Sequence, residues 1–297
     1  MSKVFEALKK HGNASEADLS SILEDEKAQE AALATSPEIA VEEFAAAAAP
    51  AQEPAPPTVE TAPEEPALFE PWAVRVLPLR LSNSAPILPF EESDGAAGEQ
   101  YRIVRTKILQ HARQPRMILI SSPGPRDGKS ISAVNLAGAL SLKSESNVLL
   151  VDADFRRPVI HEHLGIPEGP GLADLIRGKT SLQAAVIQVE QLPNLYVLTA
   201  GKERSNPAEM LDSSRWLTVC AQIRESFEFI VVDAPPVAAV ADYDLLQAVS
   251  DGVVVVVRPD HTKRGAWLGA LRSIPQDKFL GVLLNCVHDW FLGKIYS

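Results

Sequence analysis

Beyond residue 98 the chain alternates short, almost unbroken apolar runs with longer amphipathic stretches. The runs fall at 116–121, 148–152, 195–199, 229–233, 253–257 and 280–285, and they are rich in valine, isoleucine and leucine. A strand that is apolar at successive positions, rather than at alternate ones, is covered on both faces, as in a parallel sheet. Helical patterns at 99–113, 129–143, 206–224, 240–249 and 261–273 supply the crossovers that parallel neighbours need. The expected fold is therefore α/β, a mostly parallel sheet flanked by helices on both faces. Ligands of such open sheets bind beyond the C-terminal ends of the strands.

The first third of the chain has no such pattern. Residues 1–30 read as a short amphipathic helical segment, with Val4, Phe5 and Leu8 on one side of a helix over 1–11, Gly12 as its cap and a second weak helix after Ser15. A docking or membrane-surface segment and a frayed terminus are equally good readings of it. Residues 31–97 form an Ala/Pro/Glu-rich linker. From Asn13 to Glu70 fourteen carboxylates face the single cation Lys27, a composition that cannot bury enough apolar surface to offset its ordering entropy. The chain is thus expected to be one domain at 98–287 with a largely disordered N-terminal arm and a tail at 288–297.

That arm carries most of the formal charge of −11 and leaves the domain close to neutral. Without a basic stripe, direct nucleic-acid binding is disfavoured. Cys220 and Cys286 lack partners at metal-ligand spacing and read as buried thiols of a reducing cytosol. The longest apolar runs are strand-length, short of the roughly eighteen residues of a membrane span, and no signal or lipidation motif is visible. These features together point to a cytoplasmic protein without a transmembrane segment.

Chemistry concentrates at 121–131. An apolar strand runs into Ser-Ser-Pro-Gly-Pro-Arg-Asp-Gly-Lys-Ser, which opens an amphipathic helix. Free N–H groups and the helix dipole favour an anion there. Gly124, Pro125, Arg126, Asp127, Gly128, Lys129, Ser130 and Ile131 would line a phosphate cradle, with the Lys129 charge between terminal phosphates and the Ser130 hydroxyl on magnesium. The pattern G-x-x-x-x-G-K-[ST] is slightly shifted, because Pro123 holds the first glycine position. A strand-to-helix turn without a ligand is the bland alternative, and the strand before and helix after the motif argue against it.

Two further strands end in acid. Val148–Val151 leads to Asp152-Ala153-Asp154, and Phe229–Val232 leads to Asp233-Ala234-Pro235-Pro236, the form of a Walker-B aspartate that holds magnesium. The three motifs SSPGPRDGKS, VLLVDADFRRP and FIVVDAPPV, in that order, resemble those of the bacterial tyrosine kinases of exopolysaccharide and capsule export, over about Glu99 to Asn285. The smaller runs Gly169–Asp174 and Asn206–Leu211, together with Asp242, match as well.

The resemblance implies ATP and Mg2+ as cofactors. It makes Asp152 the base for a tyrosine hydroxyl, puts Asp154 and Asp233 in the metal shell and sets Asn285 against adenine. Glu99, Arg102 and Arg105 resemble the family's E-x-x-R-x-x-R oligomerisation motif, with intrahelical ion pairs as the alternative. Tyr296 is the only tyrosine in a tail where relatives carry several, and it is the expected phosphoacceptor unless it packs on the domain. The implied activity is an ATP- and magnesium-dependent protein-tyrosine autokinase. It would be peripheral at the inner membrane through a membrane-embedded polysaccharide chain-length or co-polymerase activator, and homo-oligomeric. The alternatives are an ATP-hydrolysing positioning switch or a nucleotide-binding scaffold. The signature lysine of the positioning ATPases is replaced by Gly124, which favours the kinase branch. His161 and His163 read as a surface pair rather than a metal site.

Overall fold

A computed structural model of the chain describes residues 74–81, 95–143, 146–237 and 240–287. The helical segment expected at 1–30, most of the linker and the tail with Tyr296 lie outside the described residues.

The order of elements is β1 (Arg75–Leu77), α1 (Gly95–Leu109), β2 (Met117–Ser121), α2 (Lys129–Ser141), β3 (Val148–Asp152), α3 (Ile160–Leu164), α4 (Leu172–Ile176), α5 (Leu182–Ala185), β4 (Ile187–Val189), β5 (Leu192–Leu198), α6 (Pro207–Leu211), α7 (Ser214–Ser226), β6 (Phe229–Asp233), α8 (Ala241–Val249), β7 (Gly252–Val257), α9 (Arg264–Arg272) and β8 (Phe279–Leu284). They form one eight-stranded sheet in the order β1-β4-β5-β3-β6-β2-β7-β8. Every pairing is parallel except β4 with β5.

Both faces of the sheet are covered, and the strand sequences show why. Met117, Leu119, Leu149, Val151, Ile230 and Val232 pack on one side with α4, α7 and α8. The intervening Ile118, Ile120, Val148, Leu150, Phe229 and Val231 pack on the other side with α2 and α3. Side chains alternate along a strand, so a strand with two apolar neighbours must itself be apolar throughout. Fully burying each such side chain is worth about 1.5–3 kcal/mol, which makes the central strands the rigid base of the molecule.

All six expected strands are present, to within a few residues. Two more, β1 and β4, are three residues long, too short to show a period. The boundary expected at Gly98 falls inside α1, and the folded region begins earlier, because β1 pairs with β4. Leu77 O accepts from Glu190 N at 3.0 Å, and Arg80 N donates to Leu164 O at 3.0 Å. Gly165 has a φ of 61°, and an added Cβ would lie 2.3 Å from Arg80 O, so this strap needs glycine opposite it. The helix expected at 206–224 is two helices, because the Ser213 hydroxyl accepts from Trp216 N at 3.2 Å and caps a new start. Cys220 is buried as expected, but Cys286 is exposed, at a bend just beyond β8 where its own φ is 54°.

Candidate functional site

The site is assembled where β2, β3 and β6, adjacent in the sheet, end together. Asp152 and Asp233 are register partners across β3 and β6. The loop from β2 turns over them into α2 through Gly128, whose φ of 93° is left-handed. A Cβ there would come within 1.9 Å of Asn285 Nδ2, so glycine is required twice over, by conformation and by space. Asp127 braces the loop from inside. Its Oδ2 accepts from Gly124 N at 3.0 Å and its Oδ1 accepts from the Thr262 hydroxyl at 2.8 Å.

Lys129, the first residue of α2, points back across the strand ends. Its Nζ lies 2.8 Å from Asp154 Oδ2, 3.1 Å from Asp233 Oδ1 and 3.3 Å from Ser130 Oγ. Burial alone would lower the ammonium pKa, but the two carboxylates more than offset it and hold Lys129 above its ordinary value. Asp233 is wholly buried, and that burial raises its pKa against the opposing charge of Lys129. Asp152 is pushed up to about 8, first by burial and then by the charge of Asp233.

A cleft of about 550 Å³ opens above these groups, lined on one side by Arg126, Lys129 and Ser130 and on the other by Asp154, Arg156 and Arg157. Pro125, Gly128 and Ile131 also line it, so most of the expected cradle faces the cleft, while Asp127 works from behind. Asp152 lies behind the cleft, with no exposed surface. Its Oδ1 accepts from Asp154 N at 3.3 Å and its Oδ2 from Ile160 N at 3.1 Å, so it shapes the loop that presents Asp154. Asn285 braces the cradle as well, its Nδ2 donating to Asp127 O at 3.0 Å and its Oδ1 accepting from Cys286 N at 3.0 Å.

A magnesium ion suits this donor set. Asp233 Oδ2 is a buried carboxylate oxygen without a hydrogen-bond partner, a costly state that a cation relieves. Ser130 Oγ and Asp154 stand beside the same Lys129. Among the described residues no three His, Cys, Asp or Glu side chains are grouped to cage a metal by themselves. Magnesium needs no such cage, because it keeps several waters and shares its shell with substrate phosphates.

Several lining groups were not read from the sequence. His163 faces the cleft rather than open solvent, and burial lowers its pKa. Asp242, noted only as a landmark, accepts from Arg156 Nε at 2.8 Å and Nη2 at 3.3 Å. These partners lie 86 residues apart, so no local spacing announces the pair.

The assembly residues divide. On α1, Arg102 Nη1 donates to Glu99 Oε2 at 2.9 Å, with both side chains more than half exposed. Arg105 instead turns inward, donating from Nη1 to Ala139 O on α2 at 3.2 Å. Tyr101 OH donates to Ser132 Oγ at 3.3 Å and ties the same two helices.

No protein-family model matches the chain. It is 34% identical over 204 residues to "Tyrosine-protein kinase YwqD" of Bacillus subtilis, a match covering 67% of this chain and 85% of that protein. It is also 34% identical over 186 residues to "Succinoglycan biosynthesis transport protein ExoP" of Rhizobium meliloti, covering 61% of this chain. Of the longer relatives the chain spans only about a quarter, 25% of an Acinetobacter johnsonii tyrosine-protein kinase and 23% of ExoP. Among solved structures, the VpsO kinase domain superposes with a TM-score of 0.59 at 32% identity, covering 65% of this chain and 95% of that domain.

Proposed function

The chain belongs to the bacterial tyrosine-protein kinase family, and on that premise we propose that it is an ATP- and magnesium-dependent tyrosine autokinase regulating exopolysaccharide chain-length control and export. The observation that carries this reading is the convergence of Lys129, Asp154 and Asp233 at one end of the sheet, within 3.1 Å of one another through the lysine.

In this reading the α2 N-terminus and Lys129 hold the terminal phosphates of ATP, with Gly128 letting the backbone approach them closely. Ser130, Asp154 and Asp233 would hold magnesium, which would supply neutralisation of the charge developing on the phosphates. Lys129 exchanges its carboxylate partners for phosphate oxygens when ATP binds. Transfer forms a bond from the phenolic oxygen of tyrosine to the γ-phosphorus and breaks the bond from that phosphorus to the bridging oxygen, which leaves on ADP. The phenolic proton passes to a carboxylate at the strand ends, and Asp154 is the one that faces the cleft. Asp152, expected as the base, lies behind the cleft and holds its own proton up to about pH 8, so in this reading it positions Asp154. Positioning and charge stabilisation supply most of the rate in such transfers.

The remaining expectations fit as proposals. Asn285 sits close enough to the cradle to meet a nucleotide base beyond it. Glu99 and Arg102 remain exposed for a second copy of the chain, with Arg105 fixing the helix that carries them. Among the described residues no helix is long and apolar enough to cross a membrane. Contact with the inner membrane is proposed to run through a membrane-embedded chain-length or co-polymerase partner. Tyr296 is the proposed acceptor on the chain itself.

The test is incubation of the full chain with γ-labelled ATP and magnesium, followed by phosphoamino-acid analysis. Phosphotyrosine is expected in the wild type, reduced at least 100-fold in Lys129→Met. Release of free phosphate with no phosphotyrosine, even with the membrane partner present, would overturn the kinase reading in favour of an ATP-hydrolysing switch.

A further inference from the structure

The cleft carries more positive charge than Lys129 and Arg126. Arg156 and Arg157 line it from the loop after β3, a different strand from the one that leads into the phosphate cradle. Arg156 is a built feature. Both oxygens of Asp242, itself 1% exposed, hold one edge of its guanidinium, while the Arg156 side chain remains 50% exposed. A guanidinium has five N–H donors, so the pair orients a cation whose free donors remain for a ligand. Arg157 is exposed, and its side chain has no acidic partner among the described residues. Between the arginines and the strand ends, Val159, Pro235, Pro236 and Val240 give an apolar wall, a surface suited to an aromatic ring and not to phosphate.

We propose that this side of the cleft is the acceptor subsite, and that Arg156 and Arg157 select tyrosines flanked by acidic residues. The proposal rests on the kinase reading and names its substrate class. Two guanidinium groups attract an acidic segment and repel a basic one.

The experiment uses the full chain with magnesium and ATP and two peptides of equal length, one with glutamates and one with lysines on either side of a single tyrosine. The acidic peptide is expected to be phosphorylated with at least tenfold higher kcat/KM, the difference lying in KM. Arg156→Ala should shrink that ratio and Arg157→Glu should invert it towards the lysine peptide. Both side chains reach solvent, and circular dichroism checks that both variants fold. Equal use of the two peptides by the wild type, or variants that raise KM for ATP while leaving the peptide ratio intact, would overturn the proposal and assign the arginines to the nucleotide. Absence of phosphotyrosine on either peptide and on the chain would instead overturn the kinase reading, and the proposal with it.

Discussion

The two ends of the sheet treat their carboxylates in opposite ways. At the N-terminal ends of β2 and β7, Asp251 is fully engaged. Its Oδ2 accepts from Arg116 N at 2.9 Å and Met117 N at 2.7 Å, and Arg224 donates to both of its oxygens, at 3.1 and 2.8 Å. Arg116 adds bonds to the carbonyls of Arg224, Phe227 and Glu228. Burial pushes the Asp251 pKa up, but these donors, Arg224 foremost, more than offset it and hold it below the ordinary range. At the C-terminal ends, Asp152 and Asp233 lie side by side, more deeply buried, with raised pKa values and one orphaned oxygen. One cluster of charges is satisfied by the chain itself and stabilises the fold. The other is left incomplete, and in the proposed reading a metal and its nucleotide complete it. Incomplete buried charge at strand ends is therefore the mark of the working end of this molecule.

The comparison breaks most visibly in stability. Asp251→Ala strands two backbone N–H groups and a guanidinium, and it should cost about 3 kcal/mol at neutral pH, measured by urea unfolding. Because the folded-state pKa of Asp251 is depressed, its contribution is present above the unfolded value of 3.8 and disappears as pH falls through the folded value. The gap between wild type and variant should accordingly close in acid. A gap unchanged at pH 2 would mean that Asp251 acts through packing and not charge.

An effect of opposite sign is expected at the working end. The folded-state pKa of Asp152 is raised, so its contribution is fully present below 3.8 and lost as pH rises through about 8. Ligand-free protein should lose stability between pH 5 and 8, with a slope of at most about 1.4 kcal/mol per pH unit from this one proton. Asp152→Asn should flatten that slope. Unfolding curves of identical pH dependence for the two proteins would remove Asp152 as a group that keeps its proton at neutral pH.

The sequence carried the working end better than the parts around it. A phosphate loop needs a contiguous strand, turn and helix, so Gly128, Lys129 and Ser130 are legible as a unit, and acids that end apolar runs are conspicuous. The rest depends on contacts between distant segments. The burial of Asp152 follows from the loop folding back to donate Ile160 N, which no spacing rule encodes. The position of Asn285 on the cradle joins residues 158 apart. Arg105 was grouped with Arg102 by helical spacing, yet the two diverge because α2 packs against one side of α1 and draws Arg105 to Ala139 O. His163 was read as surface because nothing local shows that α3 lies along the cleft.

The central claim is that the carboxylates around Lys129 wait for a metal carried with a triphosphate. Calorimetric titration of ATP into the full chain, with and without magnesium, tests it most directly when repeated on Asp233→Asn. Magnesium should tighten ATP binding at least tenfold in the wild type and leave the variant nearly unchanged. An affinity that is the same in all four titrations would contradict the account.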